Sequence, residues 1–461
     1  MADNGNGTWG GNGQNTNSSS DITFGNVNIL DATGAAPYSG EVTVSGNRIK
    51  SITRSGGGYS FGQGNGQRID CHGMTLMPGL IDAHLHLSWN NAPGINPIQM
   101  MPIEEHILNC VEMAKIVLDA GFTSGRGAAA AKIRLDVVIR DAINAGRFPG
   151  PRYTAAGPEI TTVGGLGDAT LPHITDPGLN LGIPVSGPEE VRRTVRELIK
   201  WGVDTIKLNL SGEEITGMPA KVTQFSDEEV AMAVNEARRR GKTLAAHARS
   251  KESIMQCVKY GIEFIYHASF SDEESLDALE AVKDRHIVAP GLAWLLNTAR
   301  NAGDYGVKPG SAMAEAYERE LEAAIDSMKK MHARGIRVLI GGDYGFAWTP
   351  HGTNAKDIEY FVDLLGMSPM EAIQAATLYG GQIMEMGDEL GTIREGCLAD
   401  LLLVDGDPLR DVRILQDRNR IKAIMKDGKF HKAPQEVSRP GAYGLSSDST
   451  YGDSMTRRYS A

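Results

Sequence analysis

One stretch constrains this chain more than any other: Met77-Pro78-Gly79-Leu80-Ile81-Asp82-Ala83-His84-Leu85-His86, an apolar run ending in two histidines one residue apart. In a β-strand, residues i and i+2 point to the same side. His84 and His86 can therefore aim both imidazoles at one point, as a metal site requires. Alone, the pair also fits two unrelated histidines, because short motifs recur by chance. Its meaning depends on what other strand ends supply.

From residue 77 onward short apolar strands alternate with helical segments, the pattern of βα units around a parallel sheet. Strand candidates fall at 76–86, 121–126, 152–157, 203–210, 243–247, 262–268, 286–292 and 336–343, with helices at 102–119, 132–145, 188–200, 226–240, 272–284 and 312–334. Eight such units predict an α/β fold, a (β/α)8 TIM barrel over 77–386. The connection 158–186 is long and rich in Gly, Pro and Thr, as functional loops often are. Residues 354–386 read as two more helices. Short alternating strands at 21–76 and again at 387–434 predict a small composite β-sandwich domain built from both termini, with Pro78-Gly79 where the chain leaves it for the barrel. Residues 1–20 are Gly, Asn and Ser with little else and are expected to be disordered. The polar tail 435–461 reads as flexible or as an oligomer arm, and a homo-oligomer is expected. Gly58-Tyr59-Ser60-Phe61-Gly62 matches the GxSxG nucleophile elbow in form. Its glycine-rich flanks lack the strand and helix that motif needs, so it reads as chance.

Composition narrows the function classes. A net charge of −11 with no basic stripe argues against nucleic acid or an anionic membrane as partner. The four cysteines, Cys71, Cys110, Cys257 and Cys397, are scattered and suggest neither a disulfide framework nor a zinc ribbon. No signal peptide or apolar run of transmembrane length stands out, so a cytoplasmic protein is expected.

If the barrel is right, its active site lies at the C-terminal ends of the strands. His84 and His86 end the first, Lys207 sits in the fourth, His247 ends the fifth, His267 the sixth and Asp343 the eighth. Singly, a strand histidine is more often a satisfied core group, Lys207 could snorkel to a rim, and Asp343 could cap a helix. Together those explanations need six coincidences at matching strand ends. Buried charge is costly unless paired or bound to metal, so a joint metal site is the better reading.

These residues, with the closing Gly391-x-Ile393-x-x-Gly396-x-x-Ala399-Asp400-Leu401 pattern, resemble the metal-dependent amidohydrolase superfamily over about residues 21–431. Thr205-Ile206-Lys207-Leu208, Ala246-His247-Ala248 and Met367-Ser368-Pro369-Met370-Glu371-Ala372-Ile373 resemble the branch holding imidazolonepropionase-like dipeptidases, ochratoxin-cleaving amidases, and phenylurea and molinate (thiocarbamate) hydrolases, with the herbicide hydrolases as the narrower likeness. The resemblance implies that His84, His86 and Asp343 bind one divalent metal and His247 and His267 a second. It further implies that Lys207, carboxylated by carbon dioxide or bicarbonate, bridges them. One or two ions of zinc, cobalt or manganese fit such ligands. Metal-bound hydroxide would attack a polarised carbonyl, and Asp343 would handle the proton. The chain departs from the dipeptidase and ochratoxinase pattern at Arg249 and Leu166, where histidines are usual, which puts carboxylate recognition of their type in doubt. Ser250 stands where deaminase-type members carry an acid.

The loops expected over the barrel mouth are apolar and aromatic. Trp89, Met218, Phe270, Trp294 and Trp348 are substrate-pocket candidates, with Met100, Met101 and Phe346 on the same loops and Arg249 and Tyr344 as weaker ones. His351 could polarise a carbonyl or hold the substrate; equally, it fits an exposed loop histidine. The sequence thus predicts hydrolysis of an amide, urea or (thio)carbamate C–N bond in a small hydrophobic molecule such as a phenylurea or thiocarbamate xenobiotic. Alternatives are a dipeptidase, a hydrolase of N-acyl amino acids or cyclic amides, or a non-catalytic barrel scaffold.

Overall fold

The computed structural model describes residues 21–55, 66–174 and 176–434. The expectations for both tails and for 58–62 lie outside these residues. The barrel uses eight segments: Leu80–Leu85, Phe122–Gly127, Arg152–Thr154, Thr205–Asn209, Thr243–Ala248, Phe264–His267, Ile287–Ala289 and the extended stretch 336–343. The first three pair in parallel, as do the fourth through seventh. Asp204 and Thr205 donate to the Ala155 carbonyl, joining the third segment to the fourth. The eighth makes a single bridge, Val288 with Val338, and Ala83 N donates to Ile340 O at 3.1 Å, closing the ring. Residues of the fourth strand are buried throughout, as a parallel sheet covered on both faces requires.

Helices pack outside. Ser226, with Glu229 reciprocating, caps Asp227–Arg238, Asp272 caps Glu273–Ala281 and Ser311 caps Ala312–Ala333, each side chain receiving a backbone N–H of the first turn. Two further barrel helices, Lys251–Tyr260 and Leu292–Asn301, add to the six expected. The second starts from Gly291 with no side-chain cap, so the sequence carries no start signal there. Residues 354–386 form three short helices rather than two, Lys356–Asp363, Pro369–Ala375 and Leu378–Ile383. Gly366 in the left-handed region (φ 76°) and the Ser368–Glu371 capping box separate the first two.

The terminal strands join across the chain. Asp21–Ile29, Tyr38–Ser45, Arg48–Arg54, Gly66–Asp70 and Thr75–Pro78 share one sheet with Leu401–Val404, Ile421–Lys426 and Lys429–Lys432. All eight belong to one hydrogen-bonded network branching at Asp21–Ile29, and Phe24 of the first strand meets Phe430 of the last across its core, ring centres 6.0 Å apart. It has its own core, which includes Phe24, Val42, Leu76, Leu403 and Met425. Thr75–Pro78 pairs with Leu401–Val404, whereas Leu80–Leu85 is already in the barrel. Gly79 is the joint: its N–H donates to Asp400 O, and a Cβ there would collide with Thr123.

Arg152, on the third barrel strand, locks the two parts together. Its guanidinium bonds Asp400 and Asp427, and the Asp400 side chain is 2% exposed. Hydrogen bonds to charged groups contribute about 1.5–3 kcal/mol, and an orphaned buried carboxylate costs more. Arg152→Met is expected to lower stability by about 2–3 kcal/mol, read as a fall in melting temperature; an unchanged melt would show that the clamp contributes little.

Candidate metal centre and active site

The six strand-end groups meet at one end of the barrel. His84, His86, Lys207, His247 and His267 are at most 5% exposed, and the Asp343 side chain is 15% exposed. Asp343 Oδ1 lies 3.2 Å from His86 Nε2 and 3.7 Å from His84 Nε2. The His84 and His267 ring centres are 5.2 Å apart, and those of His247 and His267 4.4 Å. His84, His267 and Asp343 offer ligand atoms all within 4.8 Å of one another. This tight group crosses the division into two ligand sets implied by resemblance, since it takes one histidine from each.

The backbone aims these groups. His86 Nδ1–H donates to Ala129 O at 3.1 Å and His247 Nε2–H to Gly212 O at 3.0 Å, which leaves the other nitrogen of each ring with its lone pair. Both His267 nitrogens and His84 Nδ1 are buried with no hydrogen-bond partner among the described residues. His267 and Asp343 both have left-handed backbone, φ 78° and 61°. Such conformations cost on the order of 1–3 kcal/mol and gather at functional sites. Gly291 allows the close approach at His267, because a Cβ there would stand 2.9 Å from its Nδ1.

Burial lowers the pKa of His84, His247 and His267 well below the usual histidine value, which favours the neutral, ligating form. Burial also lowers Lys207, against the pull of Glu159 and Asp343. Asp343 is pushed up by burial, but His84, His86 and Arg249 outweigh that and hold it well below the usual carboxylate range. Neutral imidazoles, an ionised carboxylate and a lysine with no ion pair among the described residues form a donor set that fits divalent cations.

The cavity beside these groups is walled by Trp89, Ile95, Leu166, Leu181, Trp294 and Phe346. Of the pocket candidates, Trp89 and Trp294 are thus on the wall. Trp348 stands behind it, its ring 4.9 Å from that of Phe346 and its indole N–H donating to Thr298. Tyr344 is buried with its hydroxyl 3.4 Å from Asp357, and Phe270 lies off the wall beneath Lys221. Met218 begins the strand Met218–Thr223 and is not among the wall residues. His351 is not an exposed loop residue: it is 4% exposed and its Nε2–H donates to the His86 carbonyl, so it supports a candidate ligand from behind. Arg249 is fully buried and bonds Glu213 and Glu320.

Sequence reasoning missed Glu159 and Glu213, both on the cavity wall. Glu213 follows Lys207 by six residues in Ser211-Gly212-Glu213-Glu214, a strand-end position that could have been included. Glu159 and Leu181 come from the long 158–186 connection, whose length and Gly, Pro and Thr content mark it as a functional loop without naming which of its residues reach the cavity.

Comparison with known proteins identifies the family. The profile of the amidohydrolase family matches residues 75–430. Ochratoxinase from Aspergillus niger is 28% identical over 384 residues, covering 78% of this chain and 76% of that protein. A prolidase solved with N-methylphosphonate-L-proline superposes with a TM-score of 0.80 at 26% identity, over 90% of this chain and 100% of that one. Molinate hydrolase shares the fold (TM-score 0.71, 21% identity, 93% of this chain and 99% of that one), as does a phenylurea hydrolase (0.71, 22%, 89% and 96%).

The Arg249 cluster yields a stability test. Removing one partner of a buried ion pair strands the other, at about 3–5 kcal/mol. Arg249→Met is expected to destabilise the fold by that order, seen as an earlier thermal or urea transition. Retention of wild-type stability would show that Glu213 and Glu320 do not depend on it.

Proposed function

The chain belongs to the amidohydrolase family and is a hydrolase acting on carbon–nitrogen bonds, and from that premise we propose that it cleaves an amide, urea or (thio)carbamate bond in a small, largely apolar molecule such as an N-aryl compound. The observation that carries this is the pairing of six metal-competent groups with an apolar, aromatic cavity. In this reading His84, His86, His247, His267 and Asp343 hold one or two divalent ions of zinc, cobalt or manganese. Lys207 joins them as a carbamate formed with carbon dioxide, since a lysine beside cations is disfavoured as an ammonium and its free amine can capture carbon dioxide. A divalent ion supplies Lewis acidity, which brings the pKa of water to about 7 and polarises a carbonyl.

The chain's own residues do the rest. Asp343, ionised by its neighbours, accepts the proton of the attacking water at a carboxylate oxygen and can return it to the leaving nitrogen. Trp89, Trp294 and Phe346 exclude bulk water and hold an apolar substrate. His351 steadies the His86 backbone rather than meeting the substrate. A second reading, cleavage of dipeptides or N-acyl amino acids, is favoured by the similarity to a prolidase and to ochratoxinase.

A panel of phenylureas, thiocarbamates, N-acyl amino acids and X-Pro dipeptides, assayed beside measured metal content, separates the two; turnover of dipeptides alone would sink the first. Lys207→Ala is expected to lose bound metal and to reduce turnover by more than about 100-fold, with partial rescue by short carboxylic acids. Full activity in that variant would refute Lys207 as one of the residues that would hold the metal.

A further inference from the structure

Glu213 gives the cavity a chemical preference. It lies on the wall at 5% exposure, in the strand Ser211–Glu213 that follows Lys207. Its carboxylate already receives three donors: the Tyr317 hydroxyl and the Trp294 indole N–H at Oε1, and Arg249 Nη2 at Oε2. A carboxylate offers about four acceptor positions, so one remains on a group that borders the cavity.

Charge bookkeeping around it is uneven. The cluster holds two acids, Glu213 and Glu320, against one guanidinium, Arg249; burial pushes Glu213 up to about 7 despite Arg249, so its negative charge is fully present above that pH, where the substrate comparison below is made. Arg249 has 0% exposure, with one terminal nitrogen bonded to each acid, so it cannot turn to the cavity. Glu159 adds another carboxylate to the wall, and the lysine on the wall, Lys207, is already among the metal-site groups. A substrate carboxylate lying away from the scissile bond would therefore meet acids and no free cation among the described wall residues. Like-charge juxtaposition of this kind rejects ligands effectively.

We propose that this site selects substrates by charge, accepting neutral or cationic molecules whose N–H or ammonium group donates to Glu213 and rejecting those that carry a free carboxylate away from the scissile bond. The inference rests on the carbon–nitrogen hydrolase reading and narrows its substrate class. It also separates the chain from hydrolases of free dipeptides and N-acyl amino acids.

The test uses the full chain loaded with zinc and acetanilides carrying para-methyl, para-aminomethyl or para-carboxymethyl groups. A matching series carries the same groups on the acyl half, as anilides of phenylacetic acid. In at least one series, kcat/KM for the aminomethyl compound is expected to exceed that for the carboxymethyl compound by about 10–100-fold. Glu213→Gln is expected to lower kcat/KM about tenfold more for the aminomethyl than for the methyl compound. Carboxymethyl compounds hydrolysed as fast as aminomethyl ones in both series would overturn the proposal, as would a charge preference intact in Glu213→Gln. Titration calorimetry with benzylamine and benzyl alcohol reads the same acceptor without turnover. Tighter binding of the amine, lost in Glu213→Gln, supports the proposal, and equal affinity overturns it. Absence of turnover across both anilide series and the wider amide, urea and carbamate panel counts instead against the hydrolase reading.

Discussion

Burial of ionisable side chains at one end of one barrel is the constraint to which the rest of the structure answers. An isolated charge taken out of water is costly, so each group must change its protonation, find a partner or bind an ion. All three outcomes are visible. His84, His247 and His267 are driven towards neutrality by desolvation. Asp343 is held below the usual carboxylate range despite its burial, with the fixed positive charge of Arg249 among the causes. Lys207 has no carboxylate within ion-pair distance among the described residues, which is the position from which metal-linked lysine chemistry becomes reasonable. The imidazole nitrogens left without hydrogen bonds complete the argument, since buried polar atoms are ordinarily satisfied.

The scaffold must hold these groups against their own preferences. Parallel strands bring their C-terminal ends to a common rim, and that alone gathers the six positions. Fine placement needs more. His267 and Asp343 take left-handed backbone, and Gly291 leaves room beside His267 where any side chain would intrude. Further back, Asn354 donates to Asp82, and Asp82 accepts the His84 backbone N–H. The first strand is thus braced from below while His351 braces it from behind. Rigidity of this kind keeps several ligands within the narrow tolerance a metal site demands.

Much of this was legible in the sequence because it follows from periodicity and position. Eight apolar segments in βα rhythm foretold the barrel, and strand-end residues foretold which side chains would meet. The eighth segment was legible although it makes only one regular bridge, because its apolar run ends in Asp343. The helix Leu292–Asn301 was not, because a glycine start leaves no capping signature. The pocket was the least legible part. Trp89 and Trp294 reach the wall, but Trp348, Tyr344 and Phe270 sit on neighbouring loop positions and pack elsewhere. Loop residues lack the fixed period that makes strand faces predictable, so composition can suggest an apolar cavity without naming its lining.

Arg249 shows how a single departure becomes intelligible only in three dimensions. In sequence it stands where related dipeptidases tend to carry histidine, and it reads as a lost or altered substrate contact. In the fold it reaches Glu213, from the short strand Ser211–Glu213 after the fourth barrel strand, and Glu320, from the helix Ala312–Ala333. Neither acid would be tolerated at this depth without it, and without the acids the guanidinium would be an unpaired buried cation. The three residues are therefore one structural decision distributed over three elements. Its consequence at the cavity is a carboxylate held in place beside the apolar side chains of the wall, so electrostatics and packing at this site cannot be altered independently.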